Sequence, residues 1–358
     1  MKILWCRYND TVSFNKPSTW FSLGLRGTGK SSLLEHIGEN YLNHGHSILD
    51  LFGSRDGENL AWLRSPHVKD KKILLLKGQN VDVDCSYTVK QADQLTLYDV
   101  ASYDIIISSS PLYLNVDQEF LNATKITDLL YKRRHWRRLV YLIVREAANF
   151  YYSRLKVSEN QTFAKSQMVY LIREARHVGL TLGLDSIRYY AIDIDIRNLA
   201  DYLILKSQGA HGLASDLKWL YSFFNSSTVR DMPPQYFILI SKKGALSFGS
   251  FPFPSWHKQE KEDLLTQLGI KIEYGEMPRE ALYRGRWKTV GDEEHAEIVR
   301  LYLEDKLSIH KISDRLKRST KTVLDHLNSH NTAVKRSGFC PMCRRVRSKL
   351  DEALIKKS

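Results

Sequence analysis

Eight residues near the start of the chain restrict its fold more strongly than any other stretch: Gly24-Leu-Arg-Gly-Thr-Gly-Lys-Ser31. The segment fits the pattern G-x-x-x-x-G-K-[S/T], and it separates an apolar run from residues with apolar side chains at helical spacing. Glycines at these positions let successive backbone N–H groups point inward, and the N-terminus of the following helix adds partial positive charge. The sequence therefore predicts a loop that holds phosphate groups between a strand and a helix.

The side chains of this loop predict a nucleotide and its metal ion. We expect the Lys30 ammonium to reach the β- and γ-phosphates of ATP and the Ser31 hydroxyl to bind Mg²⁺. A glycine turn without a ligand is the simpler alternative, but the flanking strand and helix argue against it. The other residues expected to contact the nucleotide are Gly24, Gly27, Thr28, Gly29 and Ser32.

Apolar runs alternate with helical stretches over most of the chain. Residues 33–41 and 168–175 have apolar side chains at helical spacing. Such alternation is typical of an α/β fold with a largely parallel sheet flanked by helices. The apolar runs that predict strands span residues 20–23, 47–52, 73–76, 104–108, 139–144, 180–184 and 236–240.

The composition indicates one large domain and one small domain. The 358 residues are 43% hydrophobic, which is enough for a full core, and the formal net charge of +13 favours polyanionic partners. We expect residues 1–290 to form the nucleotide-binding domain, 291–332 a small all-α domain and 333–358 a basic tail. No apolar stretch is long enough for a membrane helix and no secretory signal is evident, so the cytoplasm is the expected compartment.

An acidic residue follows the strand predicted at 139–144, in the segment Arg145-Glu146-Ala147. Here the chain resembles the FtsK/HerA superfamily of P-loop DNA translocases, in which the corresponding strand ends in Asp-Glu, often followed by Ala. The resemblance covers roughly residues 21–205. It implies a RecA/FtsK-like ATPase domain in which Glu146 orients the water that attacks ATP.

Arg145 departs from the family pattern, because it occupies the position of the Asp that is associated with magnesium. A cation there repels Mg²⁺. Three explanations stay open: Ser31 and water alone hold the metal, another carboxylate such as Asp50 replaces the missing one, or the domain binds ATP as a switch. Glu146 itself has an alternative role as an ion-pair partner of a neighbouring arginine.

The same resemblance implies roles for two later segments. In the family, a helix carries an arginine that reaches the nucleotide of the neighbouring subunit; Arg176 matches that position best, with Arg173 second. An arginine supplied in this way implies a homo-oligomeric ring, such as a hexamer. The next strand ends at Asp185 and Ser186, in the position of the family's polar sensor, where the family usually has Thr-Gln. A solvated helix face is the simpler explanation for Arg176.

Three short amphipathic helices are predicted near the C-terminus, over residues 293–303, 309–316 and 320–327. The last two have the pattern of a DNA-binding helix-turn-helix, with Ser308 and Ser319 as N-caps. A helical hairpin for protein contact is the alternative. The residues expected to contact DNA are Lys317 and Arg318 at phosphates and Thr320, Lys321 and Thr322 near base edges.

The end of the chain also contains the residues of a zinc site. Cys340 and Cys343 form half of a tetrahedral site, and His326 and His330 have a spacing that suits the other half. A pair of cysteines without metal is the alternative. If zinc binds, it would hold the basic tail against the last predicted helix.

Together these features favour an ATP-dependent motor that acts on DNA during transfer, packaging or segregation. The alternative is a nucleotide-switched DNA-binding regulator with weak or no hydrolysis, and a third hypothesis is an inactive scaffold subunit. A basic run at residues 132–138 is a further candidate for DNA contact, although a charged loop anchored by Trp136 is the simpler explanation.

Overall fold

The computed structural model describes residues 1–54, 56–133, 138–152, 158–257, 264–275, 292–316 and 318–329. The chain divides into two compact units, Met1–Pro278 and Arg279–Ser358. The larger unit is built on a β-sheet with helices, and the described part of the smaller unit is helical. No helix in the described ranges is long and apolar enough to cross a membrane.

The strands of the larger unit include every run that predicted a strand, with ends shifted by at most two residues. Continuous apolar runs form the central strands because these strands are covered on both faces. In chain order the strands are β1 (Lys2–Arg7), β2 (Thr19–Leu23), β3 (Ser47–Phe52), β4 (Ile73–Lys77), β5 (Val81–Asp84), β6 (Thr88–Gln91), β7 (Ile105–Ile107), β8 (Val140–Val144), β9 (Leu180–Ser186), β10 (Tyr202–Leu205), β11 (Tyr236–Ser241), β12 (Leu246–Ser250) and β13 (Lys271–Tyr274).

Eleven of the described strands form one sheet in the order β1-β12-β11-β10-β2-β9-β8-β3-β7-β4-β6. Every pair from β10 to β6 in this order is parallel. β11, β12 and β1 extend the sheet in antiparallel fashion. The predicted largely parallel sheet is confirmed, although the strand predicted at 236–240 is antiparallel. Because β9 lies between β2 and β8, the carboxyl ends of these three strands are neighbours.

Helices cover both faces of the sheet. Alternate residues of β8 belong to two different hydrophobic clusters, as expected when side chains point to opposite faces of a strand. One cluster includes residues of the helices Val116–Tyr131 and Glu159–Val178, and the other includes residues of the helix Lys30–Asn43. The helices of this unit are α1 (Lys30–Asn43), α2 (Leu97–Ser102), α3 (Val116–Tyr131), α4 (Glu159–Val178), α5 (Ile194–Leu199), α6 (Ser226–Arg230) and α7 (Leu264–Gln267).

The smaller unit contains three described helices, α8 (Asp292–Leu303), α9 (Ile309–Leu316) and α10 (Thr320–Ser329). Serine hydroxyls cap the last two helices, because Ser308 Oγ accepts from the amide of Lys311 at 3.4 Å and Ser319 Oγ from that of Thr322 at 3.0 Å. The three predicted helices are therefore present. Their common core consists of Ile298, Leu301, Ile312, Val323 and Leu327, all fully buried.

Candidate nucleotide-binding site

The glycine-rich loop connects β2 to α1, and its backbone requires glycine for two reasons. Gly27 and Gly29 have φ angles of 76° and 80°, in the left-handed region where side chains are disfavoured. At Gly24 the limit is space, because an added Cβ would lie 2.6 Å from Lys206 Cβ and 2.8 Å from Thr28 Oγ1. The loop therefore has the curled conformation that the sequence predicts.

Two side chains brace the loop from within. Lys30 Nζ donates to the carbonyl oxygen of Leu25 at 3.0 Å, and Thr28 Oγ1 donates to the same oxygen at 2.8 Å. Lys30 is only 6% exposed, so its ammonium is held beneath the loop. A phosphate oxygen placed in the loop would compete with Leu25 for this donor, as the predicted role of Lys30 requires.

Asp185 connects the loop to the end of β8. Ser31 Oγ donates to Asp185 Oδ2 at 3.3 Å, and the amide of Glu146 donates to Asp185 Oδ1 at 2.5 Å. Asp185 is 1% exposed, and burial raises its pKa to about 6, although nearby Lys30 opposes this rise. The order β2-β9-β8 explains the contact, because it places the end of β9 between the loop and Glu146.

The side chain of Ser186, the second predicted sensor residue, makes hydrogen bonds within its own turn. Its hydroxyl donates to the carbonyl oxygen of Arg188 at 3.0 Å and accepts from the amide of Arg188 at 3.3 Å. The backbone oxygen of Ser186 accepts from the amide of Gly24 at 3.2 Å. Ser186 therefore supports the start of the glycine-rich loop through its backbone, while Asp185 carries the side-chain contact.

Glu146 has a backbone conformation that is unusual for its residue type. Its φ and ψ are 45° and 51°, in the left-handed region, where a residue with a side chain is strained by about 1–3 kcal/mol. The hydrogen bond from its amide to Asp185 holds it there. Such strain is concentrated at functional sites, and Glu146 lines the same cavity as Lys30 and Ser31.

The guanidinium of Arg145 contacts a cluster of carboxylates. Its Nη2 donates to Asp50 Oδ2 at 2.6 Å and to Glu35 Oε1 at 2.7 Å, and its Nη1 lies 3.4 Å from Glu58 Oε2. The side chains of Glu35 and Asp50 are fully buried. The cation at this position is therefore neutralised within the fold.

The prediction that the Asp50 carboxylate replaces the missing metal ligand is wrong. Besides Arg145, its carboxylate accepts hydrogen bonds from Asn59 Nδ2 at 2.5 Å and from Trp62 Nε1 at 2.9 Å. Asp50 is 0% exposed and is not among the residues that line the cavity. Asp50 therefore lies in the buried cluster and not next to Ser31.

His257 adds a titratable partner to the cluster. Its Nδ1 lies 2.7 Å from Glu35 Oε2, and both side chains are buried. Burial alone would lower the pKa of His257, but the Glu35 carboxylate outweighs burial and raises it above its ordinary value. Burial alone would raise the pKa of Glu35, but Arg145 and His257 together lower it. Both shifts favour the charged form of the pair.

The loop, Glu146 and Asp185 line a cavity of about 690 Å³, a volume typical of ligand-binding sites. Ser32 Oγ contributes a hydroxyl that is 1% exposed and has no hydrogen-bond partner among the described residues. A buried polar atom without a partner is costly, so this hydroxyl fits a site that a ligand completes. The lining consists of Arg26, Gly27, Gly29, Lys30, Ser31, Ser32, Gly53, Ser54, Asp56, Glu58, Ala61, Arg64, Arg145, Glu146, Asn149, Asp185, Ile187, His257 and Leu264.

Arg176 is not part of this cavity. It lies near the C-terminus of α4, just before β9 begins, and its Nη2 donates to Asp201 Oδ1 at 3.0 Å. The other oxygen of Asp201 accepts from the amide of Thr19, the first residue of β2. Arg176 therefore lies at the amino edge of the parallel strands, opposite the glycine-rich loop, and any role at a nucleotide stays a prediction about a neighbouring subunit.

The basic run at 132–138 is partly committed to the fold. Arg133 Nη1 donates to the carbonyl oxygens of Val178 and Gly179, both at 3.3 Å. Arg138 Nη1 donates to Asp104 Oδ1 at 2.8 Å. Trp136 and its neighbours, residues 134–137, lie outside the described residues. The flanking arginines thus support the sheet.

The residues predicted to contact DNA differ in exposure and in their partners within the smaller unit. Arg318 makes a two-armed ion pair with Glu294, with both contacts at 2.6 Å, so its guanidinium is occupied within the unit. Lys321 is exposed in the first turn of α10, where Thr320 and Thr322 are half-buried. Lys317 lies outside the described residues.

The predicted zinc ligands cannot be located. His330, Cys340, Cys343 and the basic tail lie outside the described residues, and the side chain of His326 is not described. Within the described ranges, no group of three or more His, Cys, Asp or Glu side chains is arranged to hold a metal ion.

Three residues near the cavity were not predicted from the sequence: Glu35, His257 and Lys206. Glu35 interrupts the apolar pattern of α1, which is a signal of a buried polar contact. Lys206 follows β10, is 0% exposed, and donates to the carbonyl oxygens of Pro234 and Tyr236. Burial, with a smaller contribution from Lys30, lowers the pKa of Lys206 to about 7.

No protein-family model and no curated protein sequence matches this chain. Among solved structures, it is similar to the genome packaging NTPase B204 from Sulfolobus turreted icosahedral virus 2 in complex with AMP, with TM-score 0.41, 17% identity, and 66% of this chain and 98% of that chain covered. For the pCW3 conjugation coupling protein TcpA, the TM-score is 0.39 at 15% identity, covering 75% of this chain and 69% of that chain. For the cytoplasmic domain of the Thermomonospora curvata Type VII secretion ATPase EccC, the TM-score is 0.38 at 12% identity, covering 67% and 24%.

At these scores and identities, the likeness adds nothing to what the chain's own topology establishes. The glycine-rich loop follows the central strand β2. The last residues of this loop begin α1, which packs on the parallel part of the sheet. The conformation of this loop depends on Gly27 and Gly29, whose φ angles only glycine adopts freely. The order of the strands and the conformation of the loop show that this chain has the P-loop NTPase fold.

Proposed function

We propose that this protein is an ATP-driven motor that acts on DNA. The observation that carries the proposal is the convergence of Lys30, Ser31 and Glu146 on one cavity at the carboxyl edge of the sheet. A cation, a hydroxyl and a carboxylate in this arrangement are the groups that phosphoryl transfer to water requires. The sequence of residues 21–205 resembles DNA translocases, and this resemblance supports DNA as the partner.

Each residue has a defined task in ATP hydrolysis. The backbone amides of the loop bind the phosphates, and Lys30 exchanges its bond with Leu25 for one with a phosphate oxygen. The Ser31 hydroxyl would hold Mg²⁺, which would neutralise part of the phosphate charge. Glu146 orients the attacking water from the end of β8, and Ser32 Oγ donates to the ligand.

The smaller unit is proposed to bind duplex DNA as a helix-turn-helix. α9 and α10 are separated by residues 317–319 and share one core, as the two helices of that motif do. Lys321 is exposed in the first turn of α10, where side chains of a recognition helix approach DNA. The formal net charge of +13 favours association with phosphates, so the charge of the whole chain supports the same partner.

A homo-oligomeric ring completes the proposal. Arg176 lies on the opposite edge of the sheet from its own loop, so it would reach a nucleotide only on another subunit. Its side chain is 71% exposed, and its pair with Asp201 is at the surface, where such pairs are weak. Arg176 is therefore free to exchange this partner for a phosphate across an interface.

Displacement of a third strand from duplex DNA tests the motor directly. A translocating protein strips a triplex-forming oligonucleotide from its path, whereas a protein that only binds DNA does not. We expect displacement by the wild type with ATP and Mg²⁺, and none with ADP or by Lys30→Ala. Equal displacement by wild type and Lys30→Ala, or none by the wild type with ATP, contradicts the proposal.

One observation favours a second function, a nucleotide-switched DNA-binding regulator. Arg145 occupies the end of β8, where the related ATPases carry a metal-associated carboxylate, and it is locked in place by Asp50 and Glu35. A regulator would bind ATP and change its affinity for DNA without turnover. Tight ATP binding together with no measurable hydrolysis in the presence of DNA would identify this function.

A further inference from the structure

The glycine-rich loop has an acidic partner that does not come from the expected strand. In the structure, Ser31 Oγ donates to a carboxylate of β9, Asp185 Oδ2, at 3.3 Å. β9 pairs with β2 in parallel, with Asp185 directly beside Ser22, so the carboxylate is delivered next to the loop that follows β2. The contact is thus a consequence of strand order.

The expected strand cannot supply this carboxylate. The position on β8 is Arg145, whose guanidinium is directed into the cluster with Asp50 and Glu35. Asp50 accepts hydrogen bonds from Trp62 and Asn59 and does not line the cavity. Among the described residues that line the cavity, Asp185 is the carboxylate in contact with Ser31.

We infer that Asp185 has taken over from the missing carboxylate of β8, and that together with Ser31 it holds the divalent cation of a bound nucleotide. This inference rests on the proposed function, because it requires a nucleotide in the cavity. Hard divalent cations prefer carboxylate and hydroxyl oxygens, and these two residues present both kinds next to the phosphate-binding loop. The orphan hydroxyl of Ser32 in the same cavity independently indicates a ligand there.

The second oxygen of Asp185 contacts the backbone of Glu146. Oδ1 accepts from the amide of Glu146 at 2.5 Å. The same carboxylate therefore contacts Ser31, which would hold the cation, and Glu146, which would orient water. Because Glu146 is held in the left-handed region, the loss of this bond would release its backbone. Asp185 therefore acts both on the cation and as a positioning residue for Glu146.

The experiment measures nucleotide affinity with and without a divalent cation, and it does not depend on turnover. ADP and ATP are titrated by calorimetry into wild type, Asp185→Asn and Asp84→Asn, each with Mg²⁺ or with EDTA. Mn²⁺ bound in the presence of ADP is counted separately by electron paramagnetic resonance. Asp84 is an exposed residue of β5 outside the cavity, so Asp84→Asn controls for the loss of one negative charge.

We expect Mg²⁺ to strengthen nucleotide binding to the wild type and to Asp84→Asn. In Asp185→Asn this gain should shrink by about 10- to 100-fold, with binding in EDTA retained and Mn²⁺ occupancy lost. The inference is overturned if Asp185→Asn keeps the full gain and its Mn²⁺, or if Asp84→Asn loses as much. If the wild type binds no nucleotide in any condition, it is the proposed function that fails.

A second variant keeps the test decisive if Asp185→Asn does not fold. Asp185→Ser retains a small acceptor for the amide of Glu146 but has no carboxylate, and far-ultraviolet circular dichroism checks its fold. It should bind nucleotide in EDTA and gain little from Mg²⁺. A full gain in Asp185→Ser contradicts the inference.

Discussion

Arg145 and Asp50 form an ion pair in which neither partner reaches solvent: Nη2 and Oδ2 are 2.6 Å apart, and the two side chains are 3% and 0% exposed. Glu35 shares the same nitrogen at 2.7 Å. A buried charge is tolerated only when it is paired, and here two carboxylates depend on one guanidinium. Arg145 is therefore a structural cation of the sheet.

Removal of the guanidinium should destabilise the fold strongly. Arg145→Met leaves Asp50 buried without its cation and Glu35 with His257 alone, and we expect it to lower the free energy of unfolding by about 3–5 kcal/mol. Chemical denaturation followed by circular dichroism measures this change. As a matched control, Arg176→Met removes an arginine from an exposed pair with Asp201 and should cost less than about 1 kcal/mol. Equal losses in the two variants would show that the cluster does not stabilise the fold.

The same cluster predicts the result of placing an aspartate at position 145. Arg145→Asp removes the cation and adds a third carboxylate beside Asp50 and Glu35, so it should destabilise the protein more than Arg145→Met. It should also fail to raise ATP turnover. A stable Arg145→Asp protein with faster hydrolysis would mean that the metal-binding position on β8 is still functional.

Replacement of the first loop glycine should weaken nucleotide binding. In Gly24→Ala, the added Cβ would lie 2.6 Å from Lys206 Cβ and would displace the loop, at a cost of about 1–3 kcal/mol. Binding of fluorescent ADP, measured by anisotropy, checks the loss. Gly45→Ala is the control, because Gly45 has a positive φ of 79° but no atom within 4 Å of an added Cβ and lies at the opposite end of α1. It should cost stability and leave ADP affinity unchanged; a parallel drop in affinity would refute the steric argument.

Stability should depend on pH through His257 and Glu35. The pKa of His257 is raised from 6.5 in the folded state, so its contribution is fully present below pH 6.5 and is lost as the pH rises through the raised value. The pKa of Glu35 is lowered from 4.5, so its contribution is present above that pH and is lost on acidification through the lowered value. His257→Gln should therefore cost more stability near pH 6 than at pH 9, as measured by denaturation at both pH values. A cost that is independent of pH would exclude a charged His257.

A single exposed lysine should contribute to DNA binding. Lys321 lies in the first turn of α10, and Lys321→Ala should weaken binding to all duplex sequences and reduce the salt-dependence slope by about 1. Fluorescence anisotropy over a range of salt concentrations measures both quantities. Lys69→Ala, which removes an exposed lysine from the larger unit, should leave the slope unchanged. If the two variants behave alike, α10 does not approach DNA.

The loop and most of the strands could be predicted because their signals are local. The spacing of Gly24, Gly27 and Gly29 encodes the curled backbone directly, and the apolar runs of the buried strands are continuous in the sequence. β10, a strand of four residues, was not predicted from the sequence. β1 was not predicted either; it lies at the edge of the sheet, where the apolar side chain of Leu4 is 71% exposed.

The partners within the site could not be predicted, because they depend on strand order. Asp185 was recognised as a polar residue at a strand end, but its contact with Ser31 joins residues that are 154 positions apart. The neutralisation of Arg145 by Glu35 spans 110 positions and passes through the packing of α1 on β3 and β8. The sequence shows that Arg145 departs from the FtsK/HerA pattern, but only the fold shows which carboxylates neutralise its charge.

Steady-state ATP hydrolysis, measured with and without duplex DNA on wild type and Glu146→Gln, tests the central claim most directly. The account predicts that DNA raises turnover by the wild type and that Glu146→Gln lowers it by about 10²–10⁴-fold while ADP still binds. Wild-type turnover that equals that of Glu146→Gln, with or without DNA, would contradict the claim that this cavity is the hydrolytic site of a DNA motor.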